Sequence, residues 1–223
     1  GMAMKRRLVV IGNRSIVAQA IARLEFLEIV HVVAVADSRL AATAVEEGWP
    51  LTIAATKAHA LDALVAVPHD VLVSNGTPWI LPVERLSAPG RDLLNVHPSL
   101  LPELRGRHPV NGSLLFGHRR TGATLHRIDE GIDTGPIIHQ AGFAIEPDLD
   151  LARLYQRLFA LEAVVAIQGL RKMQRHAWRY PGVPQGSAGS YYSGREADQV
   201  VDLRSVSVED AEHRIRAFGI PSQ

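Results

Sequence analysis

Short runs of consecutive apolar residues recur through the first half of the chain and constrain its fold more than any other feature. They lie within residues 8–12 (LVVIG), 31–38 (HVVAVADS), 51–55 (LTIAA), 71–76 (VLVSNG) and 93–98 (LLNVHP). Strands that are apolar on both sides belong to parallel sheets whose two faces are covered by helices. The runs therefore predict an α/β fold, with a doubly wound, mostly parallel twisted sheet and helices on both faces.

The segments between these runs have the spacing of amphipathic helices. Residues 15–28 place apolar side chains three or four positions apart, and Ser15 is a suitable N-cap. Residues 39–48 predict a second helix closed by Gly48, and residues 58–67 predict a third. This alternation of strand and helix is the pattern that a parallel sheet requires.

The pattern changes after Thr121. Residues 123–129 and 136–145 are interpreted as extended segments on either side of a turn-rich stretch, EGIDTGP. A long helix is then predicted from about Leu149 to His176. Its apolar stripe contains Leu151, Leu154, Tyr155, Leu158 and Val165.

From Trp178 onward the composition shifts toward Pro, Gly and Ser, which predicts a boundary. We expect a main domain at residues 1–177 and a C-terminal extension or small subdomain at residues 178–223. A short helix is expected within residues 207–218.

Charge and cysteine content narrow the class of protein. The chain has a formal net charge of +1 and no cysteine. The charge gives no reason to expect a nucleic acid or an anionic membrane as partner, and disulfides and thiolate metal sites are excluded. The apolar run Leu8–Ile11 is too short for a signal-peptide core or a membrane span. We therefore expect a cytoplasmic protein that binds a small molecule.

Two polar residues stand on alternating positions at the end of an apolar run. Asn95 and His97 are two residues apart on a predicted strand, so their side chains point the same way, and Pro98 then ends regular pairing. Sheets of this type bind ligands at the carboxyl ends of their strands, where Asn75 would also lie. Taken alone, structural polar groups satisfied by hydrogen bonds remain an alternative for these residues.

Two loops carry further polar residues. Residues 12–15 (GNRS) follow the first strand, but their single glycine does not make a dinucleotide fingerprint, so we expect a structural turn and no NAD. Asp133 lies between glycines in residues 130–136, where an ordinary turn would also explain Asp and Gly. Four further histidines share no metal-ligand spacing, and we expect surface or packing roles for most of them and no metal site: His108, His118, His126 and His139.

The combination of these features resembles one known family. Residues 95–117 (NVHPSLLPELRGRHPVNGSLLFG) and 121–138 (TGATLHRIDEGIDTGPII) resemble the formyltransferases that use 10-formyltetrahydrofolate. The family's signatures are Asn-x-His at a strand end, then SLLP, then an Asp in a Gly-rich loop. Here they are Asn95–His97, Ser99–Pro102 and Asp133.

The resemblance extends from about Lys5 to Arg175 and implies a Rossmann-like formyltransferase fold, with residues 1–177 as the catalytic domain. It also implies a catalytic role for each signature residue. The Asn95 amide would donate a hydrogen bond to the oxyanion, and His97 would move the proton. Asp133 would orient and stabilise the imidazole.

The resemblance further implies that 10-formyltetrahydrofolate is the co-substrate and that no metal is used. The pterin would be held largely by backbone groups of the loop NGTPWILP and of the segment before Asp133. The residues that this implies for folate binding are Asn75, Gly76, Trp79, Ile80, Leu81, Pro82, Leu101, Asp129 and Gly131. Trp79 could cover the pterin, and core packing is the alternative for it.

The acceptor amine is indicated by the stretch LRGRHPVN, which resembles the sugar N-formyltransferases, as does GSYYSGREADQVVDL in the tail. A nucleotide-linked amino sugar is therefore the expected acceptor. The implied acceptor contacts are Arg105, Arg107, His108 and Asn13. Gly112 departs from a position that is commonly aromatic in that group.

Other acceptors stay open at this point. Glycinamide ribonucleotide is an alternative, although the loop after the first strand matches that enzyme only in part, and hydroxyornithine is another. Methionyl-tRNA is not expected, because fewer than fifty residues follow the long helix and the net charge is near zero. A folate-binding module without catalysis is the non-enzymatic alternative. The resemblance also leaves a homodimer open.

Overall fold

The apolar runs form strands of a single mixed sheet in the computed structural model, which describes residues 4–192 and 208–218. The strands are β1 (Arg6–Gly12), β2 (Leu27–Val35), β3 (Leu51–Ala54), β4 (Val71–Asn75), β5 (Asp92–His97), β6 (Arg120–Arg127) and β7 (Ile137–Ala144). A strand therefore forms at each of the five apolar runs and at both segments that were predicted to be extended. The fold is α/β, as expected.

The order of the strands is β3-β2-β1-β4-β5-β6-β7. The pairs β3–β2, β2–β1, β1–β4 and β4–β5 are parallel. The pairs β5–β6 and β6–β7 are antiparallel. The chain order reverses between β1 and β4, and this reversal opens a crevice at the carboxyl ends of those strands. The sheet is thus mostly parallel, with an antiparallel edge.

The helices are α1 (Ile16–Ile21), α2 (Arg39–Glu47), α3 (Lys57–Ala66), α4 (Val83–Leu86), α5 (Pro109–Leu115), α6 (Leu151–Arg175) and α7 (Val208–Phe218). Their ends follow capping rules: the Ser38 hydroxyl accepts from Ala41 N at the start of α2, and Gly48 ends it in the left-handed region with φ of 71°. None of the described helices is long and apolar enough to cross a membrane.

The first helix is shorter than predicted. α1 ends at Ile21, and the Ser15 side chain makes no capping hydrogen bond. Leu24 lies in the turn that follows and Leu27 begins β2, yet both are buried. Leu24 and Leu27 are apolar because the turn and the strand pack on the same core as α1. Spacing alone does not distinguish such a turn and strand from a continued helix.

The two faces of the sheet bury separate cores, as alternation along β1 illustrates. Leu8 and Val10 pack in the cluster that includes α1, α2 and α6, and Val9 and Ile11 pack in the cluster that includes α3 and α4. A third cluster joins α5, α6 and α7. The long helix buries its predicted stripe at Leu154, Leu158 and Val165, while Leu151 and Tyr155 are partly buried against the third cluster.

The described part of the extension is bonded to the main domain. The Arg127 guanidinium donates to the carbonyls of Tyr180 and Pro181, and Val183 forms a β-bridge with Ile137. The predicted helix near the end is present as α7, which packs on α5 through a hydrogen bond from Asn111 to the Ala217 carbonyl. Most of YYSGREADQVVDL lies outside the described residues. The division at 177/178 stays a prediction.

Two isoleucines on strands test how far this packing stabilises the chain. Ile138 in β7 is 1% exposed, whereas Ile53 in β3 is 50% exposed. We expect Ile138→Ala to lower the free energy of unfolding by about 2–5 kcal/mol, because it leaves a cavity in the core. Urea denaturation should give a much smaller loss for the matched variant Ile53→Ala. Equal losses in the two variants would contradict the assignment of the core.

Candidate active site

A cavity of about 640 Å³ opens at the carboxyl ends of β1, β4 and β5. Asn95, His97 and Asp133 all line it, so the structure brings the three predicted catalytic residues together. The volume lies within the range of roughly 300–1,000 Å³ that is usual for small-molecule sites. The described residues contain no group of three His, Asp or Glu side chains that could hold a metal ion.

The position of Gly12 explains why β1 and β4 can end side by side at this cavity. Gly12 has φ of 147°, a left-handed value that favours glycine, and a Cβ there would lie 1.8 Å from the Asn75 carbonyl oxygen. The backbone N–H of Asn13 donates to that same carbonyl at 3.2 Å. Gly12 therefore permits the close approach that places Asn13 next to the β4 loop.

His97 ends β5 and is buried, with 5% of its surface exposed. Its Nε2 donates to the Leu104 carbonyl at 2.7 Å. Because a carbonyl only accepts hydrogen bonds, Nε2 carries a hydrogen and Nδ1 is the atom that gains or loses the proton. Nδ1 lies 3.5 Å from the Asp133 carboxylate. Burial lowers the pKa of His97 below its ordinary value, and the charge of Asp133 opposes this.

Asp133 is held between two imidazoles and a backbone amide. The Gly106 N–H donates to Oδ2 at 3.0 Å, and Oδ1 lies 3.5 Å from Nε2 of His126. Burial alone would raise the pKa of this carboxyl group. The charge of His97, the contact with His126 and the Gly106 hydrogen bond outweigh it and lower the pKa of Asp133 to about 2. The carboxylate is therefore ionised at neutral pH.

His126 orients the amide of Asn95. The two residues face each other across β5 and β6. His126 Nδ1 donates to the Arg127 carbonyl at 2.8 Å, and in this tautomer Nε2 accepts from Asn95 Nδ2 at 3.1 Å. A surface or packing role was expected for most of the four further histidines, and His126 differs from that expectation because it lines the cavity and contacts Asn95. The available signal was the Thr124-x-His126 alternation on β6, which mirrors Asn95-x-His97.

Most residues implied for folate binding line the cavity. Those that do so are Gly76, Trp79, Ile80, Leu81, Asp129 and Gly131. Trp79 is partly buried. It packs against the second core and also lines the cavity, so it has both the core contact and the cavity position that were considered for it. Its ring can therefore form one apolar wall of the cavity.

Three of the implied folate residues do not line the cavity, and each has a structural position instead. The Asn75 side chain points inward and donates to the Glu162 carboxylate at 2.9 Å. Leu101 is only 2% exposed and packs in the interior, and Pro82 is the N-cap residue of α4. Direct contact between these side chains and a ligand in the cavity is not supported.

Of the four implied acceptor contacts, Asn13, Arg107 and His108 line the cavity. Arg105 does not. Its guanidinium donates to Gln185 Oε1 at 2.9 Å, and its side chain is enclosed with 5% of the residue exposed. The prediction that Arg105 contacts substrate is therefore corrected, because the chain's own extension occupies its hydrogen bonds.

A buried ion pair beside the cavity was not predicted. Arg14 lines the cavity and donates to Glu162 Oε2 at 2.9 Å. Glu162 is 1% exposed and lies within the apolar stripe of α6, where spacing alone predicts no partner. Burial raises the pKa of its carboxyl group, while Arg14 and Asn75 oppose that shift. Arg14 thus keeps a fixed place at the cavity wall.

Comparison with known proteins supplies independent findings. The family model described as formyl transferase matches residues 7–170. A methionyl-tRNA formyltransferase of Burkholderia vietnamiensis is 34% identical over 187 residues, which cover 78% of this chain and 57% of the relative. The chain spans about half the length of the curated relatives it matches.

Solved structures share the fold. WlaRD, a sugar 3N-formyl transferase crystallised with dTDP and 5-N-formyl-THF, is 22% identical; the match covers 98% of this chain and 80% of that one, with a TM-score of 0.75. A phosphoribosylglycinamide formyltransferase from Anaplasma phagocytophilum is 24% identical; the match covers 86% of this chain and 100% of that one, with a TM-score of 0.70. At these identities the likeness establishes the fold.

The lowered pKa of Asp133 makes the stability of the protein depend on pH. A carboxylate whose folded pKa is about 2, instead of 3.8, stabilises the fold above about pH 4. That contribution, about 2 kcal/mol, is lost as the pH falls toward 2. The difference in unfolding free energy between the wild type and Asp133→Asn should therefore shrink by about this amount between pH 6 and pH 2, as urea denaturation would measure.

A matched comparison isolates the cause. His97→Gln and the double variant His97→Gln/Asp133→Asn repeat the comparison without the imidazole. The difference in their unfolding free energies should change less with pH, because the principal attraction for the carboxylate has been removed. Parallel pH profiles for the wild type and Asp133→Asn would contradict the proposed electrostatics.

Proposed function

The chain belongs to the formyl transferase family, and from that premise we propose that it transfers a formyl group from 10-formyltetrahydrofolate to the primary amine of a nucleotide-linked amino sugar. The observation that carries the reaction is the convergence of the Asn95 amide, His97 Nδ1 and the Asp133 carboxylate on one cavity. An amide donor, a titratable imidazole and a partly buried carboxylate are groups that can carry acyl transfer to an amine.

The proposed reaction begins when the lone pair of the amine attacks the formyl carbon, and the carbonyl oxygen becomes an oxyanion. The Asn95 amide nitrogen lies 3.1 Å from His126 Nε2 and makes a long contact of 3.5 Å with Asp133 Oδ1. The hydrogen on the Asp133 side is proposed to turn to the oxyanion as it forms. Donors of this kind contribute roughly 3–4 kcal/mol to the transition state in other enzymes.

His97 is proposed to move the proton. Its neutral Nδ1 takes a proton from the attacking nitrogen, and Asp133 stabilises the imidazolium that results. The bond between the formyl carbon and N10 of the folate then breaks, and the proton passes to N10. The products are the formamide and tetrahydrofolate. The lowered pKa of His97 favours the neutral, proton-accepting form at physiological pH.

The folate is proposed to bind along the loop from Gly76 to Leu81. Trp79, Ile80 and Ile128 give this side of the cavity an apolar surface for a flat ring. The loop and residues Asp129 and Gly131 border the cavity, and we propose that backbone groups there bind the pterin by hydrogen bonds. Support comes from WlaRD, which shares the fold and was crystallised with 5-N-formyl-THF.

The acceptor is proposed from the charge of the cavity and from the extension. Arg14 and Arg107 line the cavity with cationic groups that suit the phosphates of a nucleotide carrier. The sugar N-formyltransferase WlaRD matches 98% of this chain, including the described part of the extension, and was crystallised with dTDP. Both observations favour a nucleotide-linked sugar.

Methionyl-tRNA is a second candidate acceptor, and the sequence relatives favour it. The methionyl-tRNA formyltransferase of Burkholderia vietnamiensis is 34% identical over 187 residues. Glycinamide ribonucleotide and hydroxyornithine remain further alternatives with the same chemistry at the formyl carbon. The choice among them depends on the acceptor side of the cavity.

Removal of either proton-handling residue tests the chemistry. We expect His97→Ala and Asp133→Ala each to lower kcat by at least about a hundredfold, because proton transfer contributes that much in comparable enzymes. Tetrahydrofolate release, followed by absorbance, measures the rate. His139→Ala is the matched control, since His139 contacts Gln168 on α6 and does not line the cavity. Near-normal turnover in either variant would contradict the proposed mechanism.

The acceptor is tested by the same assay with separate amines. We expect turnover with a pool of nucleotide-linked amino sugars, because Arg14 and Arg107 suit the phosphates of the carrier and WlaRD matches 98% of this chain. We expect none with glycinamide ribonucleotide, hydroxyornithine or methionyl-tRNA. Turnover with methionyl-tRNA alone would keep the chemistry and replace the acceptor. Folate binding without transfer to any of these amines would contradict the proposed enzyme activity and favour a binding module.

A further inference from the structure

Gln185 lies in the C-terminal extension, outside the cavity, and makes every hydrogen bond that an amide can offer. Its Nε2 donates to the carbonyls of Asp133 at 2.9 Å and of Gly135 at 2.7 Å. Its Oε1 accepts from Arg105 at 2.9 Å and 3.2 Å. A single side chain thereby joins the extension to two separate loops of the main domain.

The two loops that Gln185 joins are those that hold the catalytic carboxylate. Asp133 adopts a left-handed backbone conformation with φ of 56°, which a non-glycine residue adopts at a cost. Gly106, the neighbour of Arg105, donates its N–H to the Asp133 carboxylate at 3.0 Å. Gln185 therefore binds the backbone of Asp133 and, through Arg105, the segment that bonds its side chain.

Backbone anchors on either side fix the segment that carries Gln185. Val183 and Ile137 exchange two hydrogen bonds of 2.8 Å, and Arg105 N donates to the Ser190 carbonyl at 2.9 Å. Tyr192 N donates to the Arg105 carbonyl at 2.7 Å. Because both ends are held, the amide of Gln185 reaches Asp133 from a defined direction.

We infer that Gln185 is a positioning residue for Asp133, and that its amide sets the separation between the Asp133 carboxylate and His97 Nδ1. Gln185 touches no reacting atom. Its action passes through the backbone of Asp133 and through Arg105, which explains why Arg105 is enclosed and does not face the cavity. The extension is then part of the catalytic unit.

If Gln185 had a purely structural role, replacing it would lower the stability of the protein without changing the pKa of His97. A positioning role changes the electrostatics that His97 experiences. The charged and titratable groups that act on His97 are Asp133, which raises its pKa, and His126 and Arg14, which lower it. If Asp133 moves away, its attraction weakens, and the pKa of His97 falls.

The test is an NMR titration of His97 in the free protein, with the signal assigned by its absence in His97→Gln. Gln185→Met keeps the length of the side chain and removes its hydrogen bonds. We expect it to lower the pKa of His97 by at least about half a unit, in the same direction as Asp133→Asn. Gln185→Ala is a second variant that also leaves the backbone anchors in place.

Two comparisons make the result decisive. Gln168→Ala removes a glutamine that bonds His139 outside the cavity and should leave the pKa of His97 unchanged. Gln185→Met added to Asp133→Asn should cause no further shift, because Gln185 acts through the Asp133 charge. An unchanged pKa in Gln185→Met, an equal shift in Gln168→Ala, or an additive shift in the double variant would each overturn the inference.

Kinetics provide a second readout once turnover is measured. Gln185→Met should lower kcat by about ten- to a hundredfold, as small displacements of catalytic groups do. The KM for the folate should change by less than about threefold, because Gln185 lies outside the cavity. A change confined to KM would overturn the inference. The titration needs no substrate, so its outcome is separate from that of the proposed reaction.

Discussion

The parallel pairing of β1, β4 and β5 brings chain segments that are distant in sequence to one edge of the sheet. Gly12 lies opposite Asn75, and Ser74 lies opposite Asn95. Parallel strands end at the same edge, so the residues that follow them share the crevice where the strand order reverses. The approach at Gly12 leaves no room for a Cβ, and the position of Asn13 and Arg14 depends on it.

The antiparallel part of the sheet supplies the remaining groups of the proposed catalytic site. β6 runs back along β5 and sets His126 against Asn95. Residues 128–136 then leave the sheet and return to it at nearly the same point, since Arg127 N donates to the Pro136 carbonyl at 2.9 Å. This excursion is what carries Asp133 over the two imidazoles. A mixed sheet is therefore part of how the site is built.

Asp133, which is partly buried, and Glu162, which is buried, illustrate how the surroundings of a carboxyl group set its pKa. Asp133 has two imidazoles and a backbone N–H around it, and its pKa falls to about 2. Glu162 has only the Arg14 guanidinium and the Asn75 amide, and burial raises its pKa. Removing either partner of such a pair leaves a buried group uncompensated, which costs several kcal/mol. The first carboxylate faces the cavity, and the second supports the wall that carries Arg14.

The fold class and the approximate positions of the strands were predictable from the sequence, and the family resemblance pointed to Asn95, His97 and Asp133. Apolar runs, helical spacing and the Asn-x-His, SLLP and GIDTGP signatures are local patterns, so they are legible without coordinates. Three contacts became apparent only in the folded chain: His126 with the Asn95 amide, Arg14 with the Glu162 carboxylate, and Gln185 with the Arg105 guanidinium. These pairs are separated by between 31 and 148 positions in the chain. Their contacts arise from strand order and from the return of the extension, which no local pattern encodes.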